Sequence, residues 1–170
     1  MFVPTAEEVL EGLSATRKKI MLTTIRHVVP RITALSPAED GRSWTAEVFD
    51  TPPTPDPYVT TAVSPVAPLE DDRLWVVTTG YTSPGTLWLV DDAGEWHWVR
   101  TTPTMFDADG LEVSQHFAVS ADGTRIPYFQ VGYPNQQPVP TLLYGYGGFD
   151  VSLLPSYVPV AGKAWLTKGG

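Results

Sequence analysis

Apolar residues along this chain fall in short runs, many alternating with polar ones and most ending at a proline or glycine, which predicts strands rather than long helices. Residues 19–29 form a β-branched run that stops at Pro30, and residues 31–36 form another, so two strands joined by a short turn are expected. Residues 38–42 carry turn chemistry. Trp44, Ala46 and Val48 then alternate with Thr45 and Glu47 like a half-buried strand. Ahead of these, Thr5-Ala6-Glu7-Glu8 has the form of a capping box before Val9, Leu10 and Leu13, predicting a short helix through about Gly12. Four prolines between Thr51 and Pro57 exclude a helix or central strand and predict an extended connector between units.

The pattern then starts over. A strand over residues 58–64 and a loop over 68–72 lead to runs at 74–79, 86–90 and 96–100, separated by turns at 81–85 and 91–94. Thr23-Thr24 recur as Thr78-Thr79, Pro30 as Pro84, Leu35 as Leu89 and Trp44 as Trp96. A repeat of about 50 residues with several antiparallel strands in each copy is the spacing of a kelch-like propeller blade. A plain meander of short strands accounts for the pattern equally well. Two copies cannot close a propeller, which needs four or more blades.

From residue 105 the texture changes. Residues 111–119 alternate, Ser120-Ala121-Asp122-Gly123-Thr124 supplies an Asp-Gly turn, and residues 125–132 form a second strand, together the clearest hairpin signal in the chain. A proline-rich polar loop covers residues 133–140. Residues 141–144 read as a buried strand that opens into Gly145-Tyr146-Gly147-Gly148-Phe149-Asp150, where the glycines permit a tight turn. Residues 153–159 show no pattern, and Ala164-Trp165-Leu166-Thr167-Lys168 begins another element.

Composition narrows the function classes. With 42% hydrophobic and 18% charged residues, the chain is expected to pack as a globule. A net charge of −8 opposes phosphate backbones and anionic lipid, so neither nucleic acid nor a membrane is an expected partner. There is no cysteine, which excludes disulfides and thiol chemistry. The three histidines, His27, His97 and His116, lack metal-ligand spacing, so no metal or other cofactor is expected; all three read as structural strand residues. No basic and apolar leader precedes the first elements and no long apolar run occurs, so a cytoplasmic chain is expected.

Candidate chemistry concentrates at the glycine-hinged turn, where Tyr144, Tyr146 and Phe149 either cap the end of a sheet or face a pocket. Three segments resemble one family. Ser120-Ala121-Asp122-Gly123-Thr124-Arg125-Ile126-Pro127 resembles the hairpin that opens the catalytic domain of prolyl oligopeptidases, and Leu143-Tyr144-Gly145-Tyr146-Gly147-Gly148-Phe149 resembles that family's glycine–tyrosine loop. Tyr81-Thr82-Ser83-Pro84-Gly85-Thr86 resembles a segment of its last propeller blade. The resemblance implies a mostly β chain: partial β-propeller blades over residues 1–104, then the first strands of an α/β-hydrolase domain over 105–170. It implies a serine peptidase that cuts short proline-containing peptides, with Tyr146 as an oxyanion-hole donor and Phe149 lining the substrate pocket.

The departures are as informative. A hydrolase of that fold needs a Gly-x-Ser-x-Gly elbow followed by an acid and a histidine, and none of the nine serines has that setting. The nucleophile, acid and base are therefore absent from this chain, which is expected to be inactive alone and to be completed by a downstream-encoded chain. The alternative expectation is a non-catalytic β-rich module that binds or regulates peptides without cutting them.

Overall fold

The computed structural model describes residues 2–52, 54–134, 138–149 and 151–170; Pro53 of the connector, Asn135 to Gln137 of the proline-rich loop and Asp150 of the glycine turn lie outside the described residues. The chain is mostly β. Strands β1 (Glu8–Ala15), β2 (Ile20–Arg26), β3 (Val29–Pro37) and β4 (Trp44–Val48) form one antiparallel meander in sequence order. Strands β5 (Val59–Pro65), β6 (Leu74–Gly80), β7 (Thr86–Val90) and β8 (Trp96–Thr101) form a second of the same topology. A separate hairpin follows, β9 (Glu112–Val119) with β10 (Arg125–Gly132), and then helix α1 (Pro159–Ala164) and a 3-10 turn, Leu166–Lys168.

The sequence repeat is thus a repeat of four-stranded sheets, the form a propeller blade takes. Trp44 and Trp96 each open a fourth strand. Thr24 and Thr78 each stand fifth in a second strand, and both are buried. Their partners differ: Thr24 donates to the Glu8 carboxylate at 2.8 Å, whereas Thr78 accepts from the Trp88 indole N–H at 3.0 Å.

The core lies where the sheets face each other. Met21 and Ile32 from the first sheet pack with Leu74, Val76 and Val90 from the second, and Phe49, Trp88 and Trp96 close around them. Strand β6 shows the cause in one line: Leu74, Val76, Thr78 and Gly80 are buried while Trp75 and Val77 are exposed, the period-2 pattern of a strand covered on one face.

Three expectations fail, each for a local reason. Thr5 accepts hydrogen bonds from the N–H groups of Glu7 and Glu8 at 3.2 and 3.0 Å, as a cap would, but it caps a turn. Residues beyond it enter β1 because pairing with β2 along the strand supplies a ladder of backbone hydrogen bonds, which one helical turn could not. The second failure is β4, exposed along its full length rather than half-buried: it is the sheet edge, its apolar Trp44 and Val48 stay exposed, and contact with the core comes only just beyond the strand, where Phe49, on the side of Thr45 and Glu47, packs on Trp96 at 5.4 Å. The third is residues 141–144, which form no strand and leave Leu143 92% exposed. A strand needs a partner, and no described strand lies beside this run.

Two further details depart from the pattern. The turn between β2 and β3 falls at His27-Val28, two residues ahead of Pro30, which is already paired in β3, with both turn residues at positive φ (51° and 63°) as in a two-residue hairpin loop. A β-branched residue there is strained. At the other end, the last helix begins earlier than expected, with Pro159 in its first turn, a position where the missing N–H has no cost.

One carboxylate ties the parts together. Asp56, in the proline-rich connector, is buried and accepts from the Thr82 N–H at 2.9 Å, the Thr82 hydroxyl at 3.2 Å and the Tyr58 N–H at 3.2 Å. It lies so close over Gly80 that any Cβ at that position would collide with its carboxyl group. Burial, and then the nearby Asp56 charge, push the Tyr81 phenol up to about 12, so it stays neutral.

Removing the carboxylate by Asp56→Ala should leave the Thr82 and Tyr58 N–H groups without an acceptor and lower unfolding stability by about 2–4 kcal/mol, with Asp56→Asn milder because one acceptor oxygen remains. Urea unfolding curves that superimpose on the parent would refute this. Val28→Gly should act in the opposite direction, raising stability by about 1 kcal/mol as the strain at positive φ is relieved; the same unfolding curves measure it.

Candidate functional site

The hairpin and the segment after it are seated on the second sheet and on the tip of the first. Phe129 of β10 packs edge-on against Tyr58 at 5.1 Å and tilted against Tyr81 at 5.3 Å. Gln115 of β9 donates to the His27 carbonyl at 2.6 Å, and Phe117 meets the His27 ring edge-on at 5.2 Å while the Arg125 guanidinium carbon lies 4.2 Å from the centroid of the Phe117 ring. Farther on, the Tyr157 N–H donates to the Thr79 hydroxyl at 3.2 Å and the Val158 N–H to the Tyr81 carbonyl at 3.4 Å. The Tyr157 phenol accepts the Met105 N–H at 2.8 Å and stacks on Phe106 at 5.3 Å. Residues 79–82 are therefore the common seat of the connector, the hairpin and the carboxy-terminal helix segment.

Between hairpin and helix runs the glycine–tyrosine loop. It projects: Tyr144 is exposed, and Phe149 is 93% exposed at a positive φ of 56°. The Val151 N–H donates to the Gly148 carbonyl at 3.2 Å and closes the turn. Tyr146 behaves differently. It is 49% exposed, and its ring folds back over Gly148, so that a Cβ there would stand 3.0 Å from the phenol oxygen and 3.1 Å from its ring carbon. Gly147 has open space around it. The glycine at 148 thus serves as a notch for the phenol, and what the loop offers chemically is one O–H donor and one aromatic face.

The loop holds Tyr146 and Phe149 on one turn, as the sequence suggests, but brings no serine–histidine pair to them. His27 lies 3.5 Å from Glu7, and His97 lies 2.7 Å from Asp91, whose carboxyl is held below its usual range by that histidine and by the Glu95 and Ala93 N–H groups. His116 is hydrogen-bonded to the Ser114 hydroxyl at 2.9 Å on β9. Among the described residues no group of three or more acidic, histidine or cysteine side chains could hold a metal ion, and no helix is long and apolar enough to cross a membrane. Sequence reasoning missed Asp56, Tyr58 and Phe129 as the seat of the hairpin. The available signal was an acidic residue inside a proline run, where a charge must find buried donors or stay in water.

A β-rich chain of two blade-like meanders, a hairpin and a projecting aromatic loop is the class that these observations define. No protein-family model matches it. The whole chain is 33% identical to the uncharacterized peptidase y4nA of Sinorhizobium fredii, of which it covers 23%. A prolyl endopeptidase of Elizabethkingia miricola is 32% identical over 59% of this chain and 15% of its own length. Among solved structures, a post-proline cleaving enzyme from Rickettsia typhi matches the whole chain with 28% identity and a TM-score of 0.79, the match covering 24% of that enzyme. Oligopeptidase B from Leishmania major shares the fold over 97% of this chain, at a TM-score of 0.76. The chain is thus similar in sequence and fold to peptidases of the prolyl oligopeptidase kind, and it spans about a quarter of the length of the relatives it matches.

Gly148→Ala should displace the Tyr146 phenol and shift its ring-carbon NMR signal, assigned with Tyr146→Phe, while Gly147→Ala leaves it in place; equal shifts in both variants would remove the notch. A second expectation concerns acid. The Asp122 carboxyl, in the turn of the hairpin, is pulled down to about 2 by the Ser120 hydroxyl and then the Thr124 N–H. Its unfolded value is about 3.9, so the folded group binds a proton less readily, and its contribution is complete above about pH 4 and lost as pH falls to about 2. The difference in hairpin amide protection between the parent and Asp122→Asn should vanish over that window.

Proposed function

We propose that this chain forms part of a prolyl oligopeptidase-like serine endopeptidase that hydrolyses short proline-containing peptides, supplying the oxyanion-hole tyrosine but not the nucleophile, acid or base. In this reading residues 1–104 are propeller blades and residues 105–170 begin an α/β-hydrolase domain. The observation that carries it is the loop: Tyr146 presents a phenol held over Gly148 on the turn that also carries Phe149. Peptide cleavage by serine places negative charge on the carbonyl oxygen, and one well-aimed donor contributes about 10² to 10³ in rate. Phe149 offers a flat face suited to a proline ring. Both side chains need a reacting serine brought to them, and the proposed source is a polypeptide carrying the elbow, acid and histidine, encoded downstream.

A chimaera in which this chain replaces the matching quarter of the Rickettsia typhi enzyme tests the assignment. A folded chimaera should cleave a chromogenic prolyl peptide, and Tyr146→Phe should lower kcat by about 10²-fold with little change in KM. Unchanged kcat in that variant would sink the role of Tyr146. The chain by itself should release no product from the same peptide. The second reading, a peptide-binding module without catalysis, draws on the exposure of Tyr144 and Phe149 in a chain without an elbow; saturable binding of a prolyl peptide by the chain alone would favour it.

A further inference from the structure

The β9–β10 hairpin has two faces of different character. Gln115, Phe117 and Phe129 are turned inward and fastened to His27, Tyr58 and Tyr81. The opposite face carries Glu112, Ser114, His116, Tyr128 and Gln130, which strand alternation and the register bring to one side: His116 pairs with Tyr128, and Ser114 with Gln130. On that face the Ser114 hydroxyl and His116 Nε2 are 2.9 Å apart, and the imidazole lies tilted against the Tyr128 ring at 5.4 Å. A serine hydroxyl within hydrogen-bond reach of an imidazole, itself oriented by a third group, is the arrangement that makes a weak nucleophile reactive.

We propose that Ser114, with His116 as its base, is a nucleophilic site, apart from the Tyr146 loop, that takes an acyl group from activated esters. Ser114 Oγ attacks the ester carbonyl while His116 Nε2 accepts the hydroxyl proton. The bond to the leaving oxygen then breaks, and the same proton passes to that oxygen, leaving acyl-Ser114 and a free alcohol or phenol. Gln130, which pairs with Ser114 across the ladder, carries amide N–H groups of the kind that can donate to the carbonyl oxygen as it gains charge. No carboxylate is hydrogen-bonded to the other imidazole nitrogen among the described residues. The site therefore suits esters with good leaving groups and not peptide bonds, which keeps it distinct from the proposed peptidase chemistry.

The test uses the whole chain and p-nitrophenyl acetate, followed by peptide mass mapping. One acetyl group is expected on Ser114, with p-nitrophenol released in equal amount. Ser114→Ala should abolish that adduct, and His116→Gln should slow its formation at least about tenfold. Both substitutions lie on the outward face, and unchanged circular dichroism would show that the fold is kept; if His116→Gln perturbs it, His116→Asn serves as the second base-removing variant. Acetylation confined to lysines or to the amino terminus, or a rate at Ser114 indifferent to loss of the imidazole, would overturn the proposal.

Discussion

A buried carboxylate is the constraint on which the arrangement of this chain depends. Asp56 sits in a connector whose prolines deny it any regular ladder, so its carboxylate takes the Tyr58 N–H and the Thr82 N–H and hydroxyl in place of water. Satisfying that charge draws the connector onto the turn after β6. The same turn presents Tyr81 to Phe129, and its neighbour Thr79 to Tyr157. One electrostatic requirement thus fixes where the hairpin and the last helix can attach, and through them where the Tyr146 loop begins.

Much of this was legible from residue pattern. The β-branched runs and turn residues gave most strands to within a residue or two, and the recurrence of Trp44 and Trp96 anticipated two sheets of one topology. Pattern failed where a residue type has two uses. Thr5 can cap a helix or a turn, and only pairing between β1 and β2 decides. Alternation along β4 says which side is apolar but not whether another layer covers it. The site was legible in kind, because glycine-hinged aromatics stand out, but the fold of Tyr146 over Gly148 and the seat of the hairpin on Asp56 and Tyr58 depend on contacts distant in sequence.

The exposed loop and the anchored hairpin are complementary. A tight turn such as Gly148 to Val151 can hold a phenol in one direction only if the chain on either side is fixed, and here both sides are: by Phe129 before it and by Tyr157 after it. Exposure of Leu143, Tyr144 and Phe149 is then compatible with a defined geometry at Tyr146.

The two buried threonines show how a duplicated sheet can diverge without losing its frame. A hydroxyl both donates and accepts, so Thr24 can serve a carboxylate in one copy while Thr78 serves an indole in the other. Neither a pure donor nor a pure acceptor at that position would have survived such an exchange of neighbours. The ambivalence of one side chain leaves each copy free to recruit different surroundings, and so to meet different faces of the molecule, while the strand beneath it stays the same.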